Sequence, residues 1–304
     1  MHLPWPLDAH AGTPDATRVD VPASNFVLDL HGSPHDPQLV LFMAGNQLPA
    51  LPDLRDAFAA ETGLQRVFMA TLPPGRLIDA MVSGRLVLGN LVLDIGTGAL
   101  WPDAFMAGAR ELQRLQALEL LAPQAPLPYA RNRGMALLVR AGNPLQLRTV
   151  ADLLRPDVRL AISSPEREPA SFASYADTLR AQGGDTLVAA LLAKPTTLSP
   201  RHVHHREVPQ LLADGLADAA PLYLHLARYL VQAAPALFDL VLLPDEGNAR
   251  DALSIALLRQ PQRPAAAAAW RNFLCSAAAA AVFAQHGLDG LQSARMPTER
   301  ASPS

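Results

Sequence analysis

Residues 39–84 constrain the fold more than any other part of the chain, because they repeat one pattern twice: LVLFMAGNQLPALPDLRDAFAAETG, then LQRVFMATLPPGRLIDAMVSG. Residues 39–42 form an apolar run too short for a helix, and Ala44, Gly45 and Asn46 break it with turn chemistry. From Pro49 the apolar residues Leu51, Leu54 and Phe58 recur at helical spacing, and Thr62 with Gly63 closes the segment. The second unit reads as a strand at 67–70, a polar turn at 71–75 and a helix at 77–82. Two successive strand-to-helix turns on one sheet place two helix N-termini at its carboxyl edge. Free N–H groups and the positive dipole end favour an anion there.

The rest of the chain extends this pattern. Its 304 residues, half of them apolar, can bury a large core, and the length accommodates two lobes. Strands are predicted at 135–139, 160–162, 219–223 and 252–258, and helices at 107–118, 150–154, 171–182, 208–214 and 265–286. The spacing divides the chain into a loose N-terminal arm at 1–25, a first lobe at 26–133 and 244–295, a second lobe at 134–243, and a frayed tail at 296–304. The return crossing is expected at 240–243. Two crossings between two α/β lobes make a hinge with a cleft, where ligand sites concentrate.

Several function classes lose support at this level. A net charge of −3 gives no basic field to recruit nucleic acid. No run reaches the roughly 18 uninterrupted apolar residues of a membrane span, and the alanine-rich stretch at 265–281 reads as a packed helix. The single cysteine, Cys275, cannot form an internal disulfide and is expected to pack as a small hydrophobe. No GxSxG, HExxH, CxxC or P-loop motif is present, so no catalytic residues are assigned.

Three segments taken in order resemble class II extracellular solute-binding proteins, particularly those that bind molybdate and tungstate: 42–46 (FMAGN), 159–171 (RLAISSPEREPAS) and 215–223 (GLADAAPLY). The resemblance implies a two-lobed periplasmic binding protein type II fold, of the α/β class, with a hinge and an interlobe cleft. It also implies a monomeric binder of a small oxyanion that serves an ABC permease, with no cofactor beyond the ligand. Carried over residue by residue, it nominates Ala44, Gly45, Asn46, Thr71 and Gly75 from the first two turns and Ala170 and Ser171 from the third. It also nominates Arg206, in the run at 201–207, and the hydroxyl of Tyr223; His205, next to Arg206, is read as a second cationic donor to the anion. Asn46 stands where the family has serine, and its longer amide arm suits a larger or organic anion. Glu166, Arg167 and Glu168 are expected to be solvated, as a charged triplet on a turn usually is.

The run RHVHHRE at 201–207 supports a second reading, in which His202 and His204 ligate a transition metal with help from His225 or Glu168. If these histidines lie on a strand, neighbours point to opposite sides, so only His202 and His204 share a face. A third reading is a cytoplasmic sensor on the same fold. Residues 1–25 carry neither a charged n-region nor an apolar h-region. The expected location is therefore periplasmic if a signal peptide has been removed, and cytoplasmic otherwise.

Overall fold

The computed structural model describes residues 29–88, 91–96, 98–201 and 203–291. The expectations for the arm at 1–25, the tail at 296–304 and His202 lie outside the described residues. In chain order the strands are β1 (Leu30–His31), β2 (Leu39–Met43), β3 (Val67–Ala70), β4 (Arg85–Leu88), β5 (Leu91–Asp94), β6 (Ala104–Ala107) and β7 (Leu127–Arg131). There follow β8 (Met135–Arg140), β9 (Leu160–Ala161), β10 (Thr197–Leu198), β11 (Ala219–Tyr223), β12 (Phe238–Leu242), β13 (Ala252–Leu257) and β14 (Asp289–Gly290). The helices are α1 (Leu51–Thr62), α2 (Pro74–Ser83), α3 (Ala109–Ala117), α4 (Pro169–Gly183) and α5 (Asp185–Ala193). The chain continues with α6 (His204–Ala213), α7 (Leu224–Ala233), α8 (Pro264–Phe273) and α9 (Ala277–Gln285).

Two main sheets result. The first has the order β1-β3-β2-β6-β13-β7-β14, and the second β10-β9-β11-β8-β12. In the first, β2 runs parallel to β3 and β6, with Leu41 opposite Met69 and Ala104. Successive residues of β2 alternate between two cores: Leu39, Leu41 and Met43 enter one, Val40 and Phe42 the other. A strand covered on both faces needs apolar residues at every position, which is why 39–43 reads as an unbroken run. On one face α1, α8 and α9 supply Phe58, Trp270, Phe273 and Phe283, with Phe58 edge-on to Trp270 at 4.8 Å. On the other, α2 and α3 supply Leu77, Ile78, Leu112 and Leu115. The second sheet carries its own core, to which α4, α5, α6 and α7 contribute Tyr175, Leu191, Leu212 and Leu226.

The chain passes from one sheet to the other between β7 and β8 and returns between β12 and β13, and the two passages lie side by side. The Asn248 side chain takes the N–H of Met135 at 2.8 Å and donates to its carbonyl at 3.0 Å. Asn132 N–H donates to the Asp251 carbonyl at 3.0 Å. Gly134 turns between them at φ 88°, and a Cβ there would overlap the Asn248 amide.

Several expectations are corrected. Residues 240–243 are not the return crossing, because 238–242 form β12, paired with β8. The expected helix at 265–286 is two helices bent by 62°. They break around Cys275, which is half-buried, and Ser276 caps α9 by accepting the Ala279 N–H at 3.2 Å. The segment at 150–154 is a 3-10 turn. His204 and His205 open helix α6 rather than lying on a strand. Among the described residues no single helix is long and apolar enough to cross a membrane.

Candidate ligand-binding cavity

A cavity of about 300 Å³ lies between the two sheets. From the first sheet come Ala44, Gly45 and Asn46, where β2 ends, together with the start of α3 and Asp251 beside β13; from the second come the start of α4, the start of α6 and Tyr223. Each helix start has a different local chemistry. Pro169 opens α4 at a position that needs no N–H, and Ala170 and Ser171, whose first-turn N–H groups have no intrahelical acceptor, line the cavity. At α6 the N–H of His204 already meets the Glu168 carboxylate at 3.2 Å. At α3 the Glu111 carboxylate folds back beside Gly108 and its own backbone N–H. The start of α4 has no such carboxylate or side-chain cap, and neither has that of α2, whose Pro73 and Pro74 also line the cavity.

Seven of the ten nominated ligand residues line the cavity: Ala44, Gly45, Asn46, Ala170, Ser171, His205 and Tyr223. Thr71 does not; it is buried, with its hydroxyl 3.0 Å from His31 Nε2 and 3.3 Å from the Asp29 carbonyl. Gly75 lies in an adjoining groove with Arg110, Arg114 and Arg167. Arg206 is only 2 % exposed and does not line the cavity; it forms a buried ion pair with Asp29, whose Oδ1 also lies 3.4 Å from His205 Nε2. Burial alone would raise the Asp29 carboxyl, but Arg206 and His205 outweigh it and hold it below its ordinary value. The guanidinium is thus neutralised inside the protein.

Glu168 is also corrected. It is buried rather than solvated, with Oε2 2.7 Å from His204 Nδ1, a close polar contact that lacks hydrogen-bond geometry. His204 Nε2 lies 3.1 Å from the Tyr175 hydroxyl. Burial pushes the Tyr223 hydroxyl well up against a hydrogen bond from Ser174, so it stays protonated and able to donate. Behind the cavity His225, on α7, donates from Nε2 to the Asn46 carbonyl at 2.6 Å, and burial lowers its pKa to about 4. That hydrogen bond joins a helix of the second sheet to the turn that follows β2 of the first. Among the described residues no group of three or more His, Cys, Asp or Glu side chains is arranged to hold a metal.

The sequence reading missed Glu111, Asn132, Ser174 and Asp251, which also line the cavity. Glu111 had a signal, an acid in the first turn of a helix that starts after a glycine. Asp251 had none, since it only precedes a strand.

No curated protein matches the chain by sequence. Among solved structures, the Azotobacter vinelandii periplasmic molybdate-binding protein superposes with a TM-score of 0.63 at 18 % identity, covering 82 % of this chain and 98 % of that one. L-Phospholactate-bound PEB3, a Campylobacter jejuni protein, gives 0.61 at 14 % identity, with 83 % and 99 % covered. Iron-bound HitA from Pseudomonas aeruginosa gives 0.61 at 14 %, with 88 % and 90 % covered. At these identities the likeness shows the fold, that of two-lobed periplasmic binding proteins. A family model for bacterial extracellular solute-binding proteins matches residues 39–289, and the chain belongs to that family.

Proposed function

We propose that this chain is the solute-binding component of an ABC-type importer, working in the periplasm, and that it captures a small solute by an anionic group in the interlobe cavity. The observation that carries this reading is the open start of α4: the N–H groups of Ala170 and Ser171, with the Tyr223 hydroxyl, supply donors in a space shared by both sheets. Such donors replace the water shell of an anion, and the dipole of a fifteen-residue helix adds to them. Capture proceeds by hinge closure, with residues 26–133 and 244–295 moving as one body against 134–243, and the closed surface is what a permease reads. A cavity of about 300 Å³ leaves room for a small organic acid as well as for a bare tetrahedral oxyanion. The buried Asp29–Arg206 pair keeps that guanidinium out of the cavity, and Arg110 is the arginine that lines it among the described residues.

The test is thermal unfolding of protein stripped of bound solute, with molybdate, sulfate, phosphate and small carboxylates added singly. A solute at 100 times its dissociation constant contributes about 2.7 kcal/mol and moves the midpoint by about 2–4 °C for a chain of this size. Ala170→Pro deletes one N–H from the first turn, where proline is tolerated, and is expected to weaken the solute that produces the shift by about tenfold. Unchanged affinity in this variant overturns the assignment of α4.

A further inference from the structure

The cavity holds more negative charge than an anion site should. Four carboxylates line it, Glu111, Glu168, Asp177 and Asp251, against Arg110 and two histidines. Two of the four are accounted for: Glu168 contacts His204, and Asp177 lies at the exposed rim with Arg180 at 3.1 Å. Glu111 and Asp251 are half-buried and, among the described residues, form no ion pair. Asn132 Nδ2 donates to the Asp251 carboxylate at a long 3.5 Å. Burial raises the Glu111 carboxyl; its own backbone N–H and Arg110 pull it back without offsetting that rise, and the charge of Asp251 adds a small upward push. A separate observation points the same way. Asn46, 9 % exposed and lining the cavity, has its Oδ1 buried with no hydrogen-bond partner. It is an acceptor that lacks a donor.

These groups ask for positive charge and N–H donors, whereas the start of α4 in the same cavity asks for negative charge. An inorganic oxyanion meets only the second demand, and it would add negative charge beside two half-buried carboxylates that form no ion pair among the described residues. A plain carboxylic acid has the same defect. We infer that the solute is a small zwitterion of the amino-acid class, its carboxylate held at the start of α4 and its ammonium held by Glu111 and Asp251. This assignment rests on the reading of the cavity as the solute site.

The experiment is calorimetric titration and thermal unfolding of stripped protein with glycine, alanine, β-alanine and γ-aminobutyrate. The comparison probes are acetate, propionate and butyrate without the amine, ethylamine without the acid, and molybdate and sulfate. One zwitterion is expected to bind at least tenfold more tightly than the carboxylate of matching length, and more tightly than either oxyanion. Glu111→Gln and Asp251→Asn are each expected to weaken that zwitterion by tenfold or more and to strengthen the plain carboxylate. Both variants serve as their own folding control, since removing one of two repelling, unpaired carboxylates is expected to raise the unliganded midpoint; a structural ion-pair role would lower it. Tighter binding of a plain carboxylate or an oxyanion, or discrimination unchanged in both variants, overturns the zwitterion and leaves the cavity standing. Silence from every probe overturns the cavity as well.

Discussion

The ammonium of Lys194, the chain's only lysine, donates to the carbonyls of Leu153, Arg155 and Val158 at 2.8, 2.5 and 2.6 Å. Three acceptors converging on one point suit a compact cation with three rotatable donors and not a planar guanidinium. In a chain that otherwise uses arginine, Lys194→Arg is therefore expected to cost about 2 kcal/mol by urea denaturation, because carbonyls are left unpaired. The buried Asp29–Arg206 pair makes a stronger demand. Asp29→Asn leaves a guanidinium charge in the interior and is expected to destabilise by about 3–5 kcal/mol in the same assay. His225 gives the pH dependence. Its folded pKa, about 4, lies below the ordinary 6.5, so the neutral form is the one the fold selects. The stability this contributes is complete above pH 6.5 and is lost as pH falls toward 4, a decline of about 3 kcal/mol. His205, lowered by burial despite Asp29, adds to the loss in the same direction. His225→Gln keeps a donor for the Asn46 carbonyl and is expected to flatten the slope of denaturation free energy between pH 6.5 and 4.

At the scale of elements, β3 and β11 were readable to the residue because each is a fully buried apolar run bounded by breakers. The four residues of β6 were not, since Ala104 to Ala107 run almost directly into α3 and blur the change of period. The helix break at Cys275 was hidden for a similar reason: alanine favours helix on both sides, and only Ser276 marks the new start. In the site, the residues at the ends of β2 and at the start of α4 were legible because backbone geometry fixes them. Arg206 was not. Next to two histidines it reads as a ligand donor, and its partner Asp29 lies 177 positions away. Glu168 was misread likewise, its partner His204 lying 36 positions on. The turn after β2 carries the last prediction at this scale. A Cβ on Gly45 would overlap the Thr71 carbonyl and the His205 ring, a clash that no rotamer change relieves at the backbone side. Gly45→Ala is expected to destabilise by about 1–3 kcal/mol and to hold the two sheets apart, seen as lower unfolding free energy together with weaker solute binding.

For the whole molecule, the two passages between the sheets are stitched through Asn248 and Asn132, so relative motion is confined near one axis. Away from that axis, Asp29 with Arg206 and His205, and Asn46 with His225, tie elements of the first sheet to helices α6 and α7 of the second. Val203, just before α6, sinks into the core of the first sheet. Separating the lobes would expose a paired charge and a neutral imidazole to water and undo apolar contacts, so these contacts oppose opening. This has a kinetic consequence. If solute enters only the open form, apparent affinity is reduced by the fraction of molecules open at any moment. Loading then stops accelerating with solute concentration and levels off at the rate of spontaneous opening. Stopped-flow traces that plateau, with a plateau that rises in Asp29→Asn, would identify an importer throttled by its own receptor rather than by encounter.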